Sequence, residues 1–243
     1  MERLKAIPIS APLYEFSKNE TFFYPDARVL MVTYSVDGED VKGLVPPPLT
    51  IGKSPMVICY VSYFKDSFVG NYHEAATFIE ARLKTKTTRD MGWYCNSMFV
   101  DNDAAMAAGR EIYGFPKKIA EFKLFTEKGK QIGIVKRNGI EIMKIEVELT
   151  NDVNELPGGQ IIRAITLKHI TNPENNGIEL SEFVATDLKL IPKTIKNGNT
   201  TIIFKESERD LIHLLKPKTN PLGIYVTSNE MYLPPGKIIH KMV

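Results

Sequence analysis

Two adjacent lysines, Lys117 and Lys118, directly follow Gly114-Phe115-Pro116 and are the side chains best suited to covalent chemistry. A lysine amine is nucleophilic only after it loses its proton, and both burial and a neighbouring positive charge lower the pKa of a lysine. The neutral amine can then attack a ketone and form an imine. Lysine pairs on solvated surfaces are more common, and local composition alone favours that interpretation.

The elements that must position the lysines are predicted from the residues on either side. Residues 102–112 are rich in alanine and favour a short helix, with an Asp or Asn at 101–103 suited to cap its start. Gly114 and Pro116 end that helix, and Pro116 directs the preceding residue into an extended conformation. The lysines therefore begin a new element, which we expect to be a strand over residues 117–125.

Only one lysine of the pair can face a pocket, because neighbouring residues on a strand point to opposite sides. The apolar residues within 120–124 share the parity of Lys118, so a regular strand with the pocket on its apolar face would bury Lys118. A bend or bulge after Pro116 would change the phase and favour Lys117. The residue pattern by itself leaves both assignments open.

The whole chain has the composition of a globular protein with one sizeable core. Of its 243 residues, 43% are hydrophobic and 25% are charged, and the net charge is +2. We therefore expect a single domain over residues 1–243, with no nucleic-acid or membrane partner. Residues 1–16 lack the apolar stretch of a signal peptide. Cys59 and Cys95 lie in apolar runs, as buried thiols of a reducing compartment do, so the predicted location is cytoplasmic.

Short runs of β-branched and aromatic residues recur along the chain, for example over residues 28–36, 55–64 and 91–100. Asn138-Gly139, between two further runs, predicts a hairpin turn. Residues 1–27 contain several prolines and are expected to form an irregular arm. These patterns predict a β-rich sheet system or barrel with few helices.

The segment around the lysines is similar to the signature of the acetoacetate decarboxylase family, in which a Gly-Arg-Glu helix leads into an aromatic-Pro-Lys-Lys run. Here the two motifs are Gly109-Arg110-Glu111 and Phe115-Pro116-Lys117-Lys118. The resemblance extends more weakly over nearly the whole chain, through Leu44-Val45-Pro46-Pro47-Pro48-Leu49, Gly70-Asn71-Tyr72-His73-Glu74, Gln160-Ile161-Ile162-Arg163 and Leu233-Pro234.

The resemblance implies an α+β, β-rich fold with a closed, cone-shaped antiparallel β-barrel, flanking strands and a few short helices. It also implies that Lys117 is the Schiff-base residue and that Lys118 is its catalytic neighbour. No cofactor and no metal are expected, because the imine itself accepts the electrons of the reaction. The implied partner is a small-molecule keto acid, and the implied assembly is a homo-oligomer.

The resemblance assigns further side chains to the pocket. Glu74, which without it would be interpreted as a loop glutamate, matches a family carboxylate that could orient the imine or move protons. Arg28 lies near a family arginine that faces the substrate carboxylate, although an ungapped alignment is off by one residue. Cys59 stands where the family enzymes carry a second glutamate, and Phe115 replaces a hydroxylated aromatic residue. Met98 is expected to line the same pocket.

The predicted reaction is decarboxylation of a β-keto acid, most simply acetoacetate to acetone and carbon dioxide. Cys59, in place of a carboxylate, keeps a second interpretation open, in which the same imine serves an aldolase or dehydratase acting on another keto acid. A third interpretation comes from another class and is a ligand-binding barrel without catalysis.

Overall fold

The structure is a computed structural model that describes residues 3–86, 88–156 and 158–242. Its strands, in chain order, are β1 (Arg3–Lys5), β2 (Glu15–Ser17), β3 (Phe22–Pro25), β4 (Ala27–Ser35), β5 (Leu49–Thr50), β6 (Met56–Phe64), β7 (Tyr72–Lys84), β8 (Arg89–Val100), β9 (Lys117–Ile119), β10 (Glu121–Glu127), β11 (Lys130–Arg137), β12 (Ile140–Glu148), β13 (Asn151–Asp152), β14 (Ile161–Thr171), β15 (Ile178–Gly198), β16 (Thr200–Phe204), β17 (Leu222–Leu233) and β18 (Lys237–Lys241). The helical segments are α1 (Gly38–Val41), α2 (Asp103–Ala108), a π-helical turn (Gly109–Tyr113) and two 3₁₀ turns (Lys42–Leu44 and Leu211–Leu214). The prediction of a β-rich fold with few helices is confirmed.

Two sheets form the body of the protein. The large sheet runs in the order β13-β15-β14-β8-β7-β6-β4-β17-β3, and the small sheet contains β10, β11, β12 and β16. β8 pairs in parallel with both β14 and β9, so the large sheet is mixed, which corrects the expectation of an antiparallel one. A parallel pair requires a long connection, and residues 101–160 supply it between β8 and β14.

The N-terminal segment is more regular than its prolines suggested. β1 pairs with β2, and β3 pairs with β17 at one edge of the large sheet. Phe22 and Tyr24 are buried whereas Phe23 is exposed, so β3 follows the alternation of a strand with one buried face. The expectation of an irregular arm holds for residues 6–14. It is wrong for β3, because burial of alternate aromatic residues stabilises this strand on the sheet.

The predicted hairpin is confirmed at Asn138-Gly139, which joins β11 to β12. Their φ angles are 49° and 82°, the left-handed values that a type I′ turn requires. None of the helices in the described part of the chain combines the length and the hydropathy that crossing a membrane demands.

Two apolar cores lie on opposite faces of β4, β6 and β7. Because a strand alternates its side chains, each of these strands contributes to both cores. The small-sheet core, which packs against the small sheet, includes Leu30, Cys59, Ala75, Ile142 and Ile145. The inner core, on the other face, includes Met31, Ile58, Ala76, Met98 and Phe115.

Candidate active site

Lys117 is positioned by the turn that connects α2 to β9. The Asn102 side chain caps α2 by accepting a hydrogen bond from the Ala105 amide at 2.8 Å. The π-helical turn then ends at Gly114, whose φ of 75° is a left-handed value that favours glycine. A β-carbon at Gly114 would lie 2.6 Å from the Cα of Lys168, so the close approach to β14 also requires glycine. β9 begins three residues later with Lys117.

The register of four neighbouring strands brings the site together. Lys117 is opposite Met98 on β8, and Met98 is opposite Ala76 on β7. Ala76 is in turn opposite Tyr60 on β6, so these four residues share one face of the sheet. Glu74 lies two residues before Ala76 and therefore points to the same side.

Lys117 and Glu74 form a buried ion pair. Lys117 Nζ lies 2.8 Å from Glu74 Oε2, and the two residues are only 6% and 7% exposed. The Tyr60 hydroxyl donates a hydrogen bond of 2.6 Å to the other carboxylate oxygen, Oε1. The Lys117 ammonium also lies 5.3 Å from the centroid of the Tyr72 ring, within the range of a cation–π contact. The pair is almost excluded from water, so these contacts replace its hydration.

The phenols around Glu74 remain protonated at neutral pH. Burial raises the pKa of Tyr60 well above its ordinary value, and the charge of Glu74 raises it further. Burial is also the main cause that raises the pKa of Tyr72 and of Tyr24. These groups are therefore neutral hydroxyls at neutral pH, able to donate hydrogen bonds.

Gly109 makes room for the stem of the lysine. An ideal β-carbon at residue 109 would lie 2.5 Å from both Cδ and Cε of Lys117 and 3.1 Å from its Nζ. A methyl group there would have to displace the lysine. Arg110 donates a hydrogen bond of 3.3 Å to the Lys117 carbonyl, which ties β9 to the same turn.

A cavity of about 80 Å³ lies beside Lys117 and is lined mostly by aliphatic and aromatic side chains. Met98 and Phe115 line it as expected from the sequence, and both are buried. Within the described lining, Lys117 and Glu74 are the only charged residues. No group of three or more His, Cys, Asp or Glu side chains in the described ranges is placed to hold a metal ion. The site can hold a carbonyl compound in a dry space beside an amine.

Lys118 points away from this cavity. Its Nζ lies 2.7 Å from Asp210 Oδ1 and 2.8 Å from the carbonyl oxygen of Arg209. The Asp210 side chain is fully buried and also accepts a hydrogen bond of 3.0 Å from Arg137 Nε. The assignment of Lys118 to the catalytic pair is therefore corrected: its charge is matched by Asp210, on the side of β9 opposite to Lys117.

The two cores explain why Lys117 faces the cavity although the apolar residues within 120–124 share the parity of Lys118. The strand predicted over residues 117–125 is interrupted, since β9 ends at Ile119 and β10 begins at Glu121. Ala120 and Phe122 pack on the small-sheet core, whereas Lys117 lines the cavity of the inner core. The apolar face of β10 thus belongs to a different core from the one that encloses Lys117.

Arg28 and Cys59 lie outside the cavity, which corrects the expectation that both bind substrate. Arg28 is exposed, and its neighbour Val29 lines the cavity instead. Cys59 packs in the small-sheet core, with its Sγ 3.4 Å from the Tyr34 hydroxyl. Burial raises the pKa of the Cys59 thiol to about 12. Each residue is one position out of phase with the cavity face of its strand.

Tyr60 and Ser62 line the cavity and were missed by the sequence analysis. Ser62 Oγ donates a hydrogen bond of 3.1 Å to the backbone carbonyl of Glu74. Ser62 is directly opposite Glu74 in the pairing of β6 with β7. Alternation along β6 would have identified both residues, but only with this register known.

Comparisons with known proteins agree with this architecture. A family model described as acetoacetate decarboxylase matches residues 6–243. Acetoacetate decarboxylase 3 of Mesorhizobium japonicum is 31% identical over 127 residues, which are 52% of this chain and 47% of that protein. Acetoacetate decarboxylase 1 of Bradyrhizobium diazoefficiens is 28% identical over 128 residues, 53% of this chain and 48% of that protein. The chain thus spans about half the length of these curated relatives.

Solved structures share the fold over a longer range. The crystal structure of acetoacetate decarboxylase from Legionella pneumophila has a TM-score of 0.83 and 23% identity, covering 97% of this chain and 94% of that one. The enduracididine biosynthesis enzyme MppR, complexed with pyruvate, has a TM-score of 0.74 and 14% identity, covering 94% and 93% of the two chains. At these identities the likeness establishes the fold alone.

Proposed function

The chain belongs to the acetoacetate decarboxylase family, and on that premise we propose that it is an imine-forming decarboxylase of a β-keto acid, with acetoacetate as the simplest substrate. The observation that carries the proposal is the buried pair of Lys117 and Glu74, 2.8 Å apart, in a mostly apolar cavity. A dry amine beside a carboxylate that can take its proton is what imine formation requires.

Glu74 is the proposed acceptor of the ammonium proton of Lys117. After this transfer both groups are neutral, so the cost of holding two charges away from water is relieved. The Tyr60 hydroxyl donates a hydrogen bond of 2.6 Å to Glu74 Oε1, so that Oε2 is the oxygen that contacts the lysine. The amine formed in this way is the nucleophile.

The proposed reaction then follows from the amine. Lys117 Nζ attacks the keto carbon, Glu74 returns the proton that it took from the ammonium, and loss of water gives a protonated imine. The bond between the α-carbon and the carboxylate breaks, its electron pair moves toward the imine nitrogen, and carbon dioxide leaves. The resulting enamine takes a proton on carbon, and water releases the ketone and the free lysine.

The proposal includes the cone-shaped barrel and the homo-oligomer of the family. β15 supports the barrel, because it pairs with β14 along one stretch and with β17 along another, and so links strands from distant parts of the sheet order. A closed wall of this kind would exclude water from Lys117 and thereby favour the neutral amine.

The test combines trapping with turnover. We expect borohydride in the presence of acetoacetate to attach the substrate carbon skeleton to Lys117, detected by peptide mass spectrometry. Release of carbon dioxide should fall to the uncatalysed rate in Lys117→Ala and persist in Lys123→Ala, which alters an exposed lysine on β10. An unmodified Lys117 together with full turnover in Lys117→Ala would reject the proposal.

The second candidate function keeps the imine and changes the reaction. It is favoured by the cavity, whose described lining contains Glu74 as its one carboxylate and lacks arginine. An aldolase or dehydratase would form the trapped adduct with pyruvate and convert it with an aldehyde without releasing carbon dioxide. A non-catalytic ligand-binding protein would give no adduct with either keto acid.

A further inference from the structure

The cavity extends along the sheet away from the amine. Lys117 is opposite Met98 on β8, whereas Ala164 on β14 is opposite Trp93, which lies five residues earlier on β8. Because β8 contains a bulge between them, the two levels are four residues apart on the neighbouring β7, which is about 13 Å at about 3.3 Å per residue. Lys117 and Ala164 nevertheless line the same cavity, which is therefore elongated.

The part of the cavity farthest along β8 from the amine is apolar. We call it the distal wall, and it consists of Ile162, Ala164, Leu188, Leu190 and Met231. Ile162 is directly opposite Leu188, and Leu190 is directly opposite Met231, so the distal wall is continuous across β14, β15 and β17. Its side chains offer apolar surface and no hydroxyl, amide or charged group.

The charged groups of the cavity are gathered at the amine. Lys117 is the only cation in the described lining, and Glu74 already neutralises it. A second charged group on a substrate, lying against the distal wall, would be buried without a partner, which is strongly unfavourable. A hydrocarbon chain in the same place would instead exchange water for apolar contacts.

From this shape and charge we infer that the preferred substrate is a monocarboxylic β-keto acid with an unbranched hydrocarbon tail longer than the methyl group of acetoacetate. The inference rests on the proposed function of the same site. The keto carbon meets Lys117 Nζ, and the tail lies along the distal wall. The carboxylate leaves as carbon dioxide, a proton replaces it on the α-carbon, and the product is a methyl ketone one carbon shorter.

The test is a chain-length series of 3-oxobutanoate, 3-oxohexanoate and 3-oxooctanoate, with the diacid 3-oxohexanedioate as a charge control. Methyl ketone or keto-acid product is measured above the background of Lys117→Ala. Each pair of added methylenes is expected to raise kcat/KM about tenfold, as burial of hydrocarbon predicts. The diacid is expected to be slower than 3-oxohexanoate. A flat or falling series would overturn the inference.

Leu188 provides the matched variants, because it is half-buried in the distal wall and tolerates change better than a core residue. Leu188→Asp should lower the ratio of kcat/KM for 3-oxooctanoate over 3-oxobutanoate at least tenfold, whereas Leu188→Met, which conserves volume, should keep it. Equal ratios in the two variants would contradict a tail bound at this wall.

Failure of the inference can be distinguished from failure of the proposed function. Absence of product from every acid would overturn decarboxylation itself. Borohydride trapping of acetone, 2-pentanone and 2-heptanone on Lys117 tests the distal wall without requiring that reaction. The concentration that gives half-maximal trapping should fall with chain length, and a constant concentration would overturn the inference.

Discussion

The stem of Lys117 occupies the space that a side chain on Gly109 would need. Its Cδ and Cε lie 2.5 Å from the position of an ideal β-carbon at residue 109. The turn after α2 can accommodate the lysine side chain only because residue 109 has no β-carbon. This contact gives the glycine of the Gly109-Arg110-Glu111 motif a steric role in placing the amine.

Gly109→Ala is expected to lower the reactivity of the Lys117 amine without unfolding the protein. The added methyl group must displace Lys117 from Glu74, and a shift of about 1 Å at a reacting group can cost about 100-fold in rate. We expect kcat and imine trapping to fall together. Gly43→Ala is the control, since a β-carbon there meets no atom within 4 Å. Equal activity of the two variants would exclude a steric role for Gly109.

Tyr60→Phe is expected to lower kcat about 10- to 100-fold with little change in KM, because it removes the hydrogen bond that orients Glu74. The pKa of Tyr60 is raised by burial, so the wild-type pH profile should show no ionisation of this phenol near neutrality. Tyr63→Phe, on the opposite face of β6, is the matched control. A loss confined to KM would instead indicate that Tyr60 binds substrate.

Lys118→Gln is expected to affect stability more than chemistry. The variant removes one of the two cations that pair with the buried Asp210, so the free energy of unfolding should fall by about 1–3 kcal/mol. Denaturant unfolding measures this, with Lys123→Gln as the exposed control. Lys117 should still be trapped by borohydride in the folded variant. Loss of trapping with unchanged stability would restore a direct role for Lys118.

The two cysteines are expected to resist alkylation in the native protein. Burial raises the pKa of Cys59 to about 12 and that of Cys95 well above its ordinary value, so the reactive thiolate is scarce at pH 8. Iodoacetamide should add no group to the folded chain and two after denaturation, by mass spectrometry. Rapid native labelling of Cys59 would contradict its place in the small-sheet core.

Asp90→Asn is expected to destabilise the parallel pairing of β8 with β14. Arg163 donates two hydrogen bonds of 2.8 Å to the Asp90 carboxylate and lowers its pKa below the ordinary value. The ion pair therefore stabilises the fold fully when the pH is above the ordinary pKa of an Asp carboxyl. This stabilisation is lost as the pH falls through the lowered pKa of Asp90 in the folded protein. We expect a loss of about 1 kcal/mol at pH 7.

The pH dependence checks the origin of that effect. The difference in unfolding free energy between wild type and Asp90→Asn should shrink as the pH falls below the ordinary carboxyl range. Asp152→Asn, which alters an exposed pair with Lys196, is the control and should change stability less. A difference that persists unchanged in acid would show that the ion pair is not its source.

The local elements of the site could be predicted because their causes are local. Alanines and an Asn cap favour α2, Gly114 and Pro116 end the helical segment, and Asn138-Gly139 forces a hairpin turn. The position of Lys117 at the start of a strand follows from these signals. The prediction of an irregular arm failed at β3, because this strand is stabilised by a partner, β17, that lies about 200 residues away in the chain.

Residue types could not predict on which face of its strand each side chain lies. Arg28 and Cys59 are each one position from a residue that lines the cavity, and a shift of one residue on a strand reverses the side to which a side chain points. The sequence therefore determined which reactive groups are available, namely a lysine amine and a carboxylate that lie in mostly apolar segments. Only the tertiary structure decided which lysine meets Glu74, since that depends on pairing among β6, β7, β8 and β9, whose register is fixed by contacts between distant segments.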